Sequence, residues 1–384
     1  MKYLSLFSGI GGFELGIIQA YDVLYRHKKQ GFGEVVLGES NNSPSKLLEG
    51  TPTCIGYSEI DKYATQIYQK HFPNHTNYGD ITKINGKELP DFDFLCGGFP
   101  CQAFSVAGKR GGFEDTRGTL FFDIARIIRE KQPRLLLLEN VKGLLSHDQG
   151  RTFGTILRTL DELGYDTEWE VLNSKNFGVP QNRERVFIIG HSRNEPRPQV
   201  FPLGEDDQAH IQCEGGTKSE TKPASAITTR EGGRKENNFI VQLNNPTHSN
   251  DRVYGTDGVS PTLNTMQGGR RQPFVKVPEA TKKGYTEATV GQSINLAVPN
   301  SKTRRGRVSD VAQTLDTGMQ QHTLTSDAQI RRLTPTECER LQGFPDGWTE
   351  GLSDTQRYKT LGNAVTVNVI QAIVEKMFKN DIII

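Results

Sequence analysis

Apolar positions along the chain fall into two patterns, short unbroken runs and longer segments in which they recur at helical spacing. Tyr3-Leu4-Ser5-Leu6-Phe7 reads as a first strand, followed by the glycine turn Ser8-Gly9-Ile10-Gly11-Gly12 and a helical pattern through Ile18 and Tyr21. Residues 54–60 read as a second strand, residues 61–70 as a helix, and residues 92–96 as a buried strand that Gly97 and Gly98 break. Leu120, Ile124, Ile127 and Ile128 stand at helical spacing and stop before Pro133. Leu135-Leu136-Leu137-Leu138 is a fully apolar strand that finishes in Glu139. A helix over about residues 152–163 follows, then alternation at Thr167, Trp169 and Val171 that suits a sheet edge, then the buried strand Val186-Phe187-Ile188-Ile189-Gly190.

From about residue 191 the texture turns polar, with Gly, Thr, Asn and Arg in place of helical patterns, and this marks a second domain. A loose echo joins Thr-rich runs to glycine turns at residues 226–234, 260–271 and 312–320, and Lys302, Arg304, Arg305 and Arg307 form a local basic cluster. Such turns with Arg, Asn and Gln at their tips suit base-edge and phosphate contacts, and equally an ordinary loop-rich β domain. Thr334 before Pro335, with Glu337 in the first turn, signals a helix start that Gln342-Gly343-Phe344-Pro345 closes. Gly362-Asn363 reads as a turn leading into an amphipathic helix over residues 367–378.

Composition narrows the class of protein. At 384 residues the chain exceeds what one compact core usually holds, so two domains are expected. A formal net charge of +1 gives no global attraction to nucleic acid, which leaves any basic surface local. The five cysteines contain no CxxC pair, which suggests neither a disulfide framework nor a zinc site and fits a reducing cytoplasm. The N-terminal apolar run is too short for a signal peptide, and no stretch is long enough to span a membrane.

Several residues are candidates for chemistry. Cys101 follows Pro100 at the end of a strand, where ligands of open α/β sheets sit; a small core residue is the alternative. The glycine turn between strand and helix suits a nucleotide-like ligand, or is a turn only. Glu59 at the end of the second strand resembles a ribose-binding acid, although such an acid usually follows the glycines by about 20 residues. Here a polar insertion, residues 27–53, intervenes. Asp80 closes another short element, Glu139 could cap the next helix, and Arg183 and Arg185 stand before a buried strand as solvated charge or as ligands for a phosphate or base oxygen.

Taken together, six stretches resemble the cytosine-C5 DNA methyltransferase family in order: residues 7–12, residues 98–102, Glu139-Asn140-Val141, residues 181–185, residues 332–337 and Gly362-Asn363-Ala364-Val365. The resemblance, of the bacterial restriction-modification type, implies an α/β fold: a Rossmann-like S-adenosylmethionine-dependent domain with a mixed, mostly parallel sheet, and a smaller β-rich target-recognition domain. It implies Cys101 as the nucleophile at C6 of a flipped cytosine, Glu139 as the acid at N3 and Arg185 at O2, with Arg183 beside it. It also implies that Phe7 stacks on adenine, that Gly9 and Gly11 shape the turn, and that Glu59 holds the ribose. Asp80 would meet the adenine amino group, and Pro100, Leu120, Asn363 and Val365 would complete the pocket. A glycine- and charge-rich segment, residues 108–118, suits a loop that closes over DNA.

The expected organisation is a catalytic domain over residues 1–190 completed by about residues 355–384, a target-recognition domain over 191–330 and a connecting segment over 331–354. Double-stranded DNA is the expected partner, with a cognate restriction endonuclease acting on the same site. A cytoplasmic monomer with no metal is the simplest expectation. The rival readings are an RNA cytosine methyltransferase on the same fold, a non-catalytic DNA-binding module, and a thiol hydrolase, which the absence of a His near Cys101 disfavours.

Overall fold

In the computed structural model the described residues are 1–31, 52–100, 120–195, 199–203, 275–297, 301, 303–315, 317, 321–324 and 330–383. Cys101, the 108–118 segment, most of the insertion and the first two Thr-Gly echoes fall outside them. Contacts divide the chain into two compact units, Met1–Ile211 with Pro335–Ile384, and Gln212–Thr334.

The first unit is built on β1 (Lys2–Leu6), β2 (Thr53–Ser58), β3 (Phe94–Gly98), β4 (Leu135–Val141), β5 (Tyr165–Asn173), a two-residue β6 (Gln181–Asn182) and β7 (Glu184–Ser192). Its sheet has the order β2-β1-β3-β4-β7-β5. The pairs from β2 to β4 are parallel, whereas β7 is antiparallel to both β4 and β5. Because side chains alternate across a strand, each central strand feeds two cores. Tyr3, Phe94, Leu137 and Phe187 pack on one face under α1 (Gly12–Gly31) and the C-terminal helix, through Phe13, Ile17, Ile370 and Phe378. Leu4, Leu95, Leu136 and Ile188 pack on the other under α3 (Leu120–Lys131) and α4 (Arg151–Glu162), through Ile124, Ile128, Ile156 and Leu160. Leu135–Leu138 are apolar without alternation because both faces are covered.

Three local expectations change. Gly97 and Gly98 do not break β3 but complete it: a Cβ on Gly97 would lie 2.6 Å from the Leu6 carbonyl oxygen on the neighbouring strand. The second strand stops at Ser58, so Glu59 lies in the loop before α2 (Lys62–His71). Gly362 and Asn363 end a helix rather than form an isolated turn: α5 (Pro335–Leu341) and α6 (Asp354–Asn363) precede the last helix, α7 (Val367–Ile383).

The second unit has short strands. An antiparallel pair, β8 (Val275–Pro278) and β9 (Tyr285–Ala288), accompanies a sheet of β10 (Ser293–Asn295), β11 (Val308–Ser309), β13 (Gln321–Leu324) and β14 (Ile330–Arg332); β12 is Ala312–Gln313. Val277, Ala288, Ile294 and Leu324 form a small apolar cluster. Arg307 of the basic cluster is buried, and its Nη1 donates to the Asn295 and Ala297 carbonyls at 3.1 and 2.9 Å. No helix among the described residues is long and apolar enough to cross a membrane.

Candidate active site

The parallel pairing brings the carboxyl ends of β1 to β4 to one edge of the sheet, and antiparallel β7 brings its first residues to the same edge. Candidate side chains that lie far apart in sequence, such as Glu139 and Arg185, meet there for that reason.

On the β1–β2 side the edge is made mostly of backbone. Phe7 has φ 54°, Gly9 φ 55° and Gly11 φ 90°. The left-handed region costs a non-glycine residue about 1–2 kcal/mol, so Phe7 marks a turn held by its surroundings. Ser8 Oγ donates to Ser5 Oγ at 2.9 Å, and Gly11 N–H donates to the Ser8 carbonyl at 3.0 Å. Glu59 Oε2 accepts from Gly9 N–H at 2.9 Å, while its Oε1 accepts from the N–H groups of Ile60 and Asp61 at 2.8 and 2.7 Å. One carboxylate therefore ties the glycine turn to the start of α2, despite the insertion that separates them in sequence. Beside it Ile60 is 77% exposed, an apolar surface turned to solvent at the mouth of the site.

Asp80 caps a short 3-10 helix, Ile81–Lys83. The Thr82 hydroxyl and N–H, at 2.8 and 3.0 Å from Asp80 Oδ1, hold its carboxyl below the usual range. Val365 packs directly on the turn, since a Cβ on Gly12 would lie 2.8 Å from Val365 Cγ1. Asn363 is exposed at the end of α6, Leu120 is half-buried at the start of α3, and Pro100 is exposed two residues past β3.

On the β3–β4–β7 side the edge is made of side chains. Gly98 stands opposite Glu139 in the β3–β4 register, and a Cβ on Gly98 would lie 2.9 Å from Glu139 Oε2, so glycine makes room for the carboxylate. In the β4–β7 register Val141 faces Arg185, which places Glu139 as the diagonal neighbour on the same face. Arg185 Nε lies 3.0 Å from Glu139 Oε1, and the two side chains are only 16% and 12% exposed. Cys101 lies outside the described residues, but the chain reaches it directly from this wall through Phe99 and Pro100.

Arg183 goes elsewhere. Its Nη2 donates to the Ala364 carbonyl at 2.8 Å and the Gly362 carbonyl at 3.3 Å. Burial, with the Arg185 charge nearby, pushes its guanidinium down to about 9, still high enough to remain cationic at neutral pH.

Two residues at this edge escaped the sequence reading. Asn140 is buried, donates through Nδ2 to the Phe99 carbonyl at 2.9 Å and accepts Val141 N–H through Oδ1 at 2.8 Å, so it fixes the segment leading to Cys101. Its place between Glu139 and Val141 in a matching motif was the available signal. Glu14, in the first turn of α1, is fully buried beneath the glycine turn. Its Oε1 accepts from the Tyr68 hydroxyl at 2.9 Å, Oε2 has no partner, and burial raises its pKa to about 7. Tyr68 oxygen in turn lies 3.0 Å from His75 Nδ1. A charge on an apolar helix face beside Phe13 and Ile17 was the signal there.

Among the described residues no cluster of His, Cys, Asp and Glu could hold a metal ion. The sequence profile described as "C-5 cytosine-specific DNA methylase" matches residues 1–379. Type II methyltransferase M1.ScrFI of Lactococcus lactis subsp. cremoris is 35% identical over 98% of this chain and 78% of its own length. Type II methyltransferase M.HhaI of Haemophilus parahaemolyticus is 32% identical over 97% of this chain and 93% of its own. Among solved structures, a mutant of Spodoptera frugiperda DNMT2 has a TM-score of 0.52 at 17% identity, covering 98% of this chain and 99% of that one. S. pombe Dnmt2 methyltransferase has a TM-score of 0.50 at 16% identity over 98% of each chain. At these identities the structural likeness speaks for the fold, a mixed, mostly parallel sheet flanked by helices.

Proposed function

We propose how this chain, which belongs to the C-5 cytosine-specific DNA methylase family and is a DNA (cytosine-5-)-methyltransferase, divides its reaction among its residues. The observation that carries the proposal is the Arg185–Glu139 pair at 3.0 Å, beside Gly98 and the segment entering Cys101. C5 of cytosine is a weak nucleophile, and attack of a thiolate at C6 makes it a strong one. Cys101 supplies that attack. The electron density it drives into the ring gathers at N3 and O2, where Glu139 hydrogen-bonds or protonates N3 and Arg185 stabilises O2. Once C5 carries the methyl group, loss of the C5 proton and expulsion of the Cys101 thiolate restore the aromatic ring. A cytosine in a duplex hides C6, so the base is flipped out at a cost of a few kcal/mol.

Asn140 and Arg183 act at one remove. The first fixes the Phe99 carbonyl, and the second fixes the carbonyls flanking Asn363.

S-adenosylmethionine, the donor that a methyltransferase of this family implies, supplies a methyl group carried on a sulfonium. The β1–β2 side fits it. Gly9 has open space where a Cβ would stand, Ile60 offers an exposed apolar face, and the Glu59 and Asp80 carboxylates suit hydroxyl and amino groups. Phe7, Gly9, Gly11, Glu59, Asp80, Pro100, Leu120, Asn363 and Val365 would hold it.

The unit Gln212–Thr334, with its short strands and basic residues, is assigned to reading the target in double-stranded DNA. The enzyme acts as a cytoplasmic monomer, and the Type II relatives favour protection of host DNA against a cognate restriction endonuclease. Expression in a host lacking cytosine methylation, followed by bisulfite sequencing, tests the reading. Protected cytosines in one fixed short context are expected, and uniform conversion overturns it.

A further inference from the structure

The turn over residues 7–11 is strained and depends on bonds from outside itself. Glu59 fixes the Gly9 N–H, and a residue far along the chain fixes the Ile10 carbonyl: Trp348 Nε1 donates to it at 2.9 Å. Both ends of that bond are buried, with Ile10 1% and Trp348 4% exposed. The Trp348 ring lies flat on the His71 imidazole, with centroids 3.5 Å apart and planes within 4°. His71 Nε2 donates to the Trp348 carbonyl at 2.8 Å, and Lys70 Nζ donates to the Glu350 carbonyl at 3.0 Å. Since His71 closes the helix that Glu59 precedes, one indole joins the glycine turn, the far end of α2 and the segment after α5.

That segment is itself held from below. Buried Glu339 accepts from the N–H groups of Gly347 and Thr349 at 2.7 and 2.8 Å and pairs with Arg357 at 2.9 Å. Trp348 is thus presented to the turn by a framework that the turn does not contribute to.

We infer that Trp348 is a positioning residue for the methyl-donor site. Its N–H sets the plane of the Ile10–Gly11 peptide and keeps the turn, with Phe7 and Gly11 at positive φ, in its binding conformation before the donor arrives. Without the N–H the Ile10 carbonyl is buried and unpaired, so the turn relaxes and must be reordered on binding. The inference rests on the reading of this turn as the S-adenosylmethionine site.

Trp348→Phe in the full chain keeps an aromatic ring against His71, deletes the N–H donor and gives up part of the indole's buried volume. Methyl transfer to genomic duplex DNA from a host lacking cytosine methylation is measured at varied S-adenosylmethionine. The KM for S-adenosylmethionine rises about five- to tenfold, while kcat at saturating donor and the KM for DNA stay as in the wild type. A general structural role predicts instead a loss of active enzyme with KM unmoved, and that result overturns the inference. If Trp348→Phe does not fold, His71→Phe keeps the stack and frees the Trp348 carbonyl; a smaller rise in the same KM supports the inference, and no rise overturns it. Calorimetric titration with S-adenosylmethionine separates the two levels of the argument. Wild-type protein that fails to bind sinks the reading of the turn, whereas equal binding by wild type and variant sinks the role of Trp348 alone.

Discussion

The two walls of the site are built from different materials. On the side proposed for the cofactor the wall is the backbone of one turn, with Phe7, Gly9 and Gly11 at positive φ, tethered by partners brought from elsewhere in the sequence: Glu59 for the Gly9 N–H, Trp348 for the Ile10 carbonyl. On the catalytic side they are side chains projecting from adjacent strands, and the register of the sheet alone makes Glu139 and Arg185 neighbours. A wall of side chains fails sharply when one functional group is changed. A wall of backbone fails by degrees, because each tether carries part of the conformation.

The largest effect is therefore expected on the catalytic wall. Glu139→Gln is close to isosteric and leaves Gly98 its room, but it removes the acid proposed to act at N3, and loss of such a group costs about 10²–10⁴-fold in rate. Single-turnover methylation at saturating donor should show that loss in the chemical step, with the donor's binding constant unchanged. A variant that retains wild-type turnover breaks the assignment of the two walls.

A smaller effect is expected beneath the cofactor wall, and it depends on pH. Glu14 is faced by Tyr3 from β1, Cys54 and Tyr57 from β2, Tyr68 from α2 and Cys96 from β3, with no cation among them. Burial lifts it from 4.5 to about 7. A carboxyl raised on folding binds its proton more tightly in the native state. Its contribution is full below the unfolded value and is lost as pH rises through about 7, a swing on the order of 3 kcal/mol. Glu14→Gln cannot titrate, so urea unfolding at pH 5 and pH 8 should show a decline in wild type that is smaller in the variant. Equal declines in both proteins would remove Glu14 as the source.

What the sequence disclosed follows the same division. Strands covered on both faces, such as Leu135–Leu138, are unbroken apolar runs and read plainly, and the motif residues Glu139 and Arg185 lie on or beside them. Gly97 and Gly98 read as a break because the reason for them, the Leu6 carbonyl and the Glu139 carboxylate, lies on neighbouring strands. Trp348 left no local trace of its role, since its partner Ile10 is 338 positions away. In the second unit the strands run for two to four residues, too short for any period to register.

The smallest effect is expected at the rim of the catalytic wall, where a second ion pair crosses the same strands. Lys142 Nζ lies 2.9 Å from both carboxylate oxygens of Glu184, in the positions immediately after Val141 and before Arg185. By distance this pair rivals Glu139–Arg185, yet its side chains are 53% and 43% exposed against 12% and 16%. Water screens the charges, and holding two long side chains in one geometry costs entropy, so such a pair contributes about 0–1 kcal/mol and less as salt rises. Lys142→Ala should change unfolding free energy by under about 0.5 kcal/mol at 0.15 M salt, with kcat unaltered. A large loss of kcat would mean that Lys142 reaches the DNA or steadies Arg185 through its neighbour Glu184. The line between catalytic wall and solvent would then have to be drawn one residue further out on both strands.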